Sequence, residues 1–358
     1  MINFNAGAWR AATGQTRAAQ FDSANDLVTR TLAQHGLTAG PASVPPISGS
    51  ETLTSALSGL MSRLQPEGRP ATQTADLPDG ARFDEDSFSC AAGTRRYRTY
   101  VPASAQDGVT GLVVMLHGCT QTPEDFAAGT GMNALAEQHR FVVVYPQQSR
   151  GDNAQSCWNW FSRGDQRRDR GEPAILAGLA REVIARHAVP EDFVFVAGLS
   201  AGAAMAVILG GTYPDLFKAV GAHSGLPAGA AKDIPTAFAA MAGRGADSAP
   251  RTASTRTIVF HGDADHTVHP TNGEQIVRQA LEGGPGQSVQ SETSGTAGGR
   301  SYRRCTTYDE TGSEAVEHWI VEGLGHAWSG GQSAGSYTDP KGPDASAEML
   351  RFFFSPST

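Results

Sequence analysis

Short, uninterrupted apolar runs alternate with longer amphipathic stretches along this chain from about residue 82 onward. The runs at Tyr97–Val101, Gly111–Leu116, Phe141–Tyr145, Phe193–Val196, Ala219–Ala222, Thr257–Phe260 and His318–Val321 are mostly continuous, as strands covered on both faces require. Between them, Pro123–Gln138, Pro173–Arg186, Ala201–Leu209, Gly273–Leu281 and Ala345–Phe354 carry helical patterns. Strands alternating with helices predict an α/β fold, with a mostly parallel central sheet and helices on both faces.

The first 80 residues follow a different rule. Ala6–Gln34 has helical periodicity and a plausible stop at Gly36, and Leu37–Gly80 is rich in Pro, Gly, Ser and Thr with one short helical candidate at Leu53–Leu64. We expect residues 1–80 to be an N-terminal helical extension and linker, and residues 81–358 to be the catalytic domain. The extension is read as an accessory helix; the competing reading is an amphipathic docking element for a polymer surface or partner. It lacks the basic first residues and compact apolar core of a secretory signal.

One strand runs into chemistry. Phe193–Val196 leads into Gly198-Leu199-Ser200-Ala201-Gly202 and then into the small and apolar residues Ala203–Leu209. This is the composition of a nucleophile elbow, where a serine stands on a strained strand-to-helix turn and glycines on either side let strand and helix approach closely. Ser200 is the candidate nucleophile, and the Ala201 N–H, opening the helix, faces the charge that develops on a reacting carbonyl.

Such a serine needs a base, and the base needs a carboxylate to orient it, in the chain order Ser, Asp or Glu, His. Thr257–Phe260 ends in His261-Gly262-Asp263-Ala264-Asp265-His266-Thr267-Val268, and His318–Val321 is followed by a Gly-rich loop bearing His326. Both loops lie past the C-terminal ends of strands, where catalytic groups of open α/β sheets gather. His326 is the candidate base and Asp265 the favoured orienting carboxylate, with Asp263 as its rival. A second oxyanion donor is expected from the loop after Gly111–Leu116, where Cys119 N–H is the best placed. His117 is read as a structural hydrogen-bonding residue and Ser224 as a structural loop serine.

Five blocks in order, HGCTQTPEDF (His117–Phe126), CWNWF (Cys157–Phe161), GLSAGAAM (Gly198–Met205), HGDADHTV (His261–Val268) and GLGHAWSGG (Gly323–Gly331), resemble the polyhydroxybutyrate depolymerase family of α/β-hydrolase esterases, which includes feruloyl and acetylxylan esterases. The resemblance runs from about Ser89 to the C-terminus. It implies serine hydrolysis of short-chain hydroxyalkanoate esters or related carboxylic esters, with Ser200, Asp265 and His326 as triad and Cys119 and Ala201 as oxyanion donors. It further implies that loop aromatics shape the cleft, for which Trp158 and Trp328 are the candidates. No polymer-adsorbing module follows the His326 block, which shifts the expectation toward amorphous polymer, soluble oligomers or small esters.

Composition narrows the classes further. A net charge of −8 over 358 residues disfavours nucleic acid as partner, and no apolar run reaches the roughly 18 residues of a membrane span. No cofactor or metal is expected, since the four cysteines lack a close Cys-x-x-Cys spacing. The favoured disulfide is Cys119–Cys157, which would tie the oxyanion loop to the segment carrying Trp158 and Trp160, leaving Cys90–Cys305 as the second pair. The alternative is four free thiols in a reducing compartment. Extracellular and cytoplasmic locations both stay open, as does the oligomeric state. A feruloyl or acetylxylan-type esterase is the alternative activity, and a non-catalytic polymer- or granule-binding protein is the alternative of a different class.

Overall fold

The computed structural model describes residues 77–245, 255–282 and 289–355. The sequence expectations for residues 1–76, including both N-terminal helical candidates and most of the linker, lie outside the described residues. The described chain opens on an antiparallel hairpin, β1 (Arg82–Cys90) and β2 (Gly93–Val101). Then come β3 (Leu112–Leu116), α1 (Pro123–Thr130), α2 (Met132–His139), β4 (Val142–Pro146), α3 (Gly171–His187), β5 (Val194–Leu199), α4 (Ala201–Thr212) and β6 (Ala219–His223). The second half adds α5 (Ile234–Ala239), β7 (Arg256–Gly262), α6 (Thr271–Glu282), β8 (Val289–Ala297), β9 (Arg300–Tyr308) and β10 (Glu314–Val321). A small parallel pair, β11 (Trp328–Ser329) and β12 (Thr338–Asp339), precedes the last helix, α7 (Ala345–Phe354).

Ten strands form one sheet in the order β1-β2-β4-β3-β5-β6-β7-β10-β9-β8. The centre, from β4 through β10, is parallel, and both flanks are antiparallel. Every residue of β3, β4, β5 and β6 is buried, which is why these strands read as unbroken apolar runs. β1, β8 and β9 went unread in the sequence because they are polar: β8 (VQSETSGTA) is exposed along most of its length at a sheet edge. Two apolar layers sandwich the sheet. One packs α3 and α4 on the even face of β3 through Leu112, Val114 and Leu116, and the other packs α7 through Met349, Phe352 and Phe353 on the opposite face with Val113 and Met115.

Two departures from the sequence reading have simple causes. The single helix expected over Pro123–Gln138 breaks into α1 and α2 at Gly131, whose left-handed backbone (φ 65°) ends one helix and starts the other. Cys90 and Cys305 are free thiols. They sit on β1 and β9, with seven strands between them at about 4.8 Å per strand, far beyond disulfide reach. Among the described residues, no helix is long and apolar enough to cross a membrane.

Candidate active site

Strand register brings the motif-bearing loops to one edge of the sheet. Leu199 pairs with His223, His223 with Phe260, and Val321 with Gly262, so β5, β6, β7 and β10 end together. The ladder continues one residue past these strands: Ser200 N–H donates to His223 O at 2.9 Å, Ser224 N–H to Phe260 O at 2.9 Å, and Asp263 N–H to Val321 O at 3.2 Å.

Ser200 stands at the turn from β5 into α4 with φ 58° and ψ −119°, a backbone that L-residues rarely adopt. The surrounding structure holds it there. A Cβ on Gly202 would lie 2.0 Å from Leu116 O, and one on Gly198 would lie 2.5 Å from the Gly202 carbonyl carbon. Both glycines are therefore required by close approach of strand, turn and neighbouring β3. The helix behind the serine is buried from Ala201 through Gly210, which fixes its direction.

The same contact with β3 sets the His117-Gly118-Cys119 loop beside the start of α4. Gln121 Oε1 accepts Gly118 N–H at 2.9 Å, and Thr120 N–H donates to Gln155 O at 2.8 Å. Cys119 N–H is left without an acceptor among the described residues, and Ala201 N–H is in the first turn of a helix, where no intrahelical acceptor exists. A disulfide joins Cys119 to Cys157 with a Cα–Cα distance of 4.3 Å. The Cys157 segment is in turn anchored by the buried Glu172 carboxylate, which accepts from Asn159 N–H and Asn159 Nδ2, both at 2.8 Å, from Gln148 Nε2, and from Arg95 at 3.1 Å. Burial raises the pKa of Glu172 against these donors.

Asp265 and His326 meet directly: His326 Nδ1 donates to Asp265 Oδ2 at 2.8 Å. With the proton on Nδ1, the lone pair of the neutral ring is on Nε2. Asp265 Oδ1 accepts Thr267 and Val268 N–H, each at 2.9 Å, and His261 Nε2 lies 3.5 Å from Oδ2. Burial pushes the Asp265 carboxyl upward, but the adjacent His261 ring, the hydrogen bond and charge of His326 and the Val268 N–H outweigh it and hold the group well below the usual carboxylate range. Asp263 is exposed and accepts Gly323 N–H at 2.7 Å, so it braces the turn leading to His326 and does not face the imidazole. A Cβ on Gly262 would lie 2.0 Å from Leu324 O, a measure of how tightly the Asp265 and His326 loops pack.

Ser200 Oγ and His326 Nε2 make no hydrogen bond to any described residue, so neither atom is committed to a structural partner. Two other histidines are structural. His117 donates Nδ1–H to Gly118 O at 2.7 Å and accepts Gln148 N–H at Nε2 (3.1 Å); burial lowers its pKa to about 4. His223 accepts Ser329 N–H at Nε2 (3.0 Å), and its ring stacks on Phe260 and Trp328; burial, then repulsion from His261 and His326, lowers its pKa to about 3. Sequence reasoning gave His223 no role of its own; its signal was a buried strand running into histidine.

The aromatics expected in the cleft are elsewhere. Trp158 is 0% exposed and donates Nε1–H to His117 O at 3.1 Å, and Trp328 is 1% exposed and donates to Ser346 Oγ at 3.1 Å. Fully enclosed indoles with satisfied N–H groups brace the loops and offer no surface to a substrate.

The family model described as esterase PHB depolymerase matches residues 95–284. The chain belongs to that family. A poly(3-hydroxyalkanoate) depolymerase C from Paucimonas lemoignei is 33% identical over 253 residues, which cover 67% of this chain and 60% of the relative. A probable acetylxylan esterase A from Aspergillus flavus is 29% identical over 199 residues, 50% of this chain and 64% of the relative. The chain thus spans under two thirds of the length of these relatives. The structure of an acetyl xylan esterase from Aspergillus awamori superimposes with a TM-score of 0.54 at 20% identity, covering 72% of this chain and 93% of that one, which shows the shared α/β-hydrolase fold.

Proposed function

We propose that this member of the PHB depolymerase family is a serine esterase in which Ser200 is the nucleophile, His326 the general acid–base and Asp265 its orienting partner. The observation that carries this is the 2.8 Å Asp265–His326 hydrogen bond, presented at the same sheet edge as the strained Ser200 turn. His326 Nε2 takes the Ser200 hydroxyl proton as Oγ attacks the ester carbonyl. The resulting oxyanion is met by the Cys119 and Ala201 N–H groups, each such donor being worth about 3–4 kcal/mol in the transition state. Collapse expels the alcohol, which receives its proton from His326, and water repeats the sequence on the acyl-enzyme. Asp265, held ionised, stabilises the imidazolium formed in both half-reactions.

The substrate class is an ester of a short hydroxyalkanoic acid, in polymer or oligomer form, supported by the family and the Paucimonas lemoignei relative. The acetylxylan esterase relative supports carbohydrate acyl esters as the second reading. Hydrolysis of hydroxybutyrate oligomers, methyl ferulate, acetylated xylan and a nitrophenyl ester by wild type and Ser200→Ala separates them. Ser200-dependent preference for the oligomers supports the first reading and preference for xylan or ferulate the second. Full activity of Ser200→Ala sinks the nucleophile assignment.

A further inference from the structure

With both tryptophans enclosed, an aromatic that is exposed beside the candidate-site loops is Tyr337. Its backbone carbonyl accepts Trp328 N–H at 2.8 Å, two residues after His326, and its hydroxyl lies 3.3 Å from Thr120 Oγ1, one residue after Cys119. The side chain thus bridges the loop of the proposed base and the loop of the proposed oxyanion donor.

Two features make this position unusual. Tyr337 and Thr120 both have left-handed backbones, with φ 52° and 66°. Bulky or β-branched residues avoid that region unless their surroundings over-determine them. Here they do: Asp125 accepts Ser336 N–H at 3.0 Å and also the Ser336 hydroxyl, while Gln121 Nε2 donates to Ser336 O at 3.0 Å and to Asp125 at 2.9 Å. The same Gln121 accepts Gly118 N–H through Oε1, so one amide side chain sets the oxyanion loop and the Tyr337 backbone together. Yet Tyr337, whose backbone is so held, is 47% exposed. Core packing therefore does not account for it, and a fixed, half-exposed phenol is suited to contact an apolar group and a hydrogen-bond acceptor at once.

We propose that Tyr337 is a specificity-determining residue that contacts the ester unit next to the one being cleaved, its ring against the alkyl portion and its hydroxyl toward that unit's carbonyl oxygen. This rests on the serine esterase reading and deepens it, since only an oligomeric substrate has such a neighbouring unit.

The test compares Tyr337→Asn and Tyr337→Phe with wild type on a hydroxybutyrate trimer and on nitrophenyl acetate. Asparagine tolerates a left-handed backbone, so Tyr337→Asn removes the ring without adding strain, and residual nitrophenyl acetate turnover shows that the variant is folded. Tyr337→Asn should lose at least tenfold more kcat/KM on the trimer than on the acetate, mostly through KM, and Tyr337→Phe should show a smaller loss of the same kind. Equal losses on both substrates, or unaltered selectivity, overturn the proposal. A wild type inactive on the trimer, or an active Ser200→Ala, overturns the underlying reading instead.

Discussion

Ser200 and His223 are joined by a 2.9 Å backbone hydrogen bond, and the His223 ring accepts the N–H of Ser329 at 3.0 Å. One residue thereby ties the nucleophile turn to the chain just beyond His326. Replacing it with phenylalanine keeps a ring between Phe260 and Trp328 but strands a buried N–H, a cost of about 1–3 kcal/mol. We predict that His223→Phe lowers kcat more than tenfold with little effect on KM, and lowers the thermal midpoint. Steady-state kinetics beside a melting curve check both, and an undiminished kcat contradicts the coupling.

The two aspartates should separate sharply. Asp265→Asn presents an amide to His326 and favours the wrong imidazole tautomer, which in a serine triad costs about 10⁴ in kcat. Asp263→Asn keeps an oxygen for Gly323 N–H and should cost less than about fivefold, the amount expected when a tenth to one kcal/mol is lost. Measuring kcat for both on one ester decides the matter, and the reverse ranking would move the orienting role to Asp263.

Thiol chemistry gives a third expectation. Denatured, unreduced protein should titrate with two thiols, Cys90 and Cys305, because Cys119 and Cys157 are bonded. The bridge spans a separation of 38 residues, for which loop-closure entropy gives about 4 kcal/mol. Cys157→Ser should therefore lower the urea midpoint. It should also lower kcat, because the Cys119 amide loses its tether. A thiol count of four, or a variant as active and stable as wild type, counts against both statements.

Acid should destabilise the fold well before its carboxylates are protonated. Burial lowers the pKa of His117 and His318 to about 4 and of His223 to about 3. Below the unfolded value of about 6.5 the unfolded chain binds protons that these rings refuse, so stability falls as pH drops. The loss approaches about 1.4 kcal/mol per pH unit for each ring until the folded values are reached. Asp265 acts in a lower window, losing its contribution only as pH falls below its unfolded value near 3.8. Urea midpoints at pH 7, 6 and 5 should fall progressively, and His318→Gln should flatten the slope. A midpoint constant from pH 7 to 5 would refute this account.

The parallel centre of the sheet was legible because burial on both faces turns β3, β5 and β7 into continuous apolar runs, and the elbow was legible because only glycine fits at 198 and 202. The polar flanking strands β1, β8 and β9 were not, since strands held by hairpin pairing at an edge carry little apolar signal.

The order of elements and the residue types that could do the chemistry follow from the chain's own pattern, because periodicity and close backbone contact act locally. Which aspartate faces His326, that Cys90 and Cys305 stay apart, and that Trp158 and Trp328 are core while Tyr337 is exposed emerge from the three-dimensional packing alone. Each of these depends on how distant strands and loops are packed side by side, and neighbouring residues such as Asp263 and Asp265 differ in role only through the partners that packing brings to them.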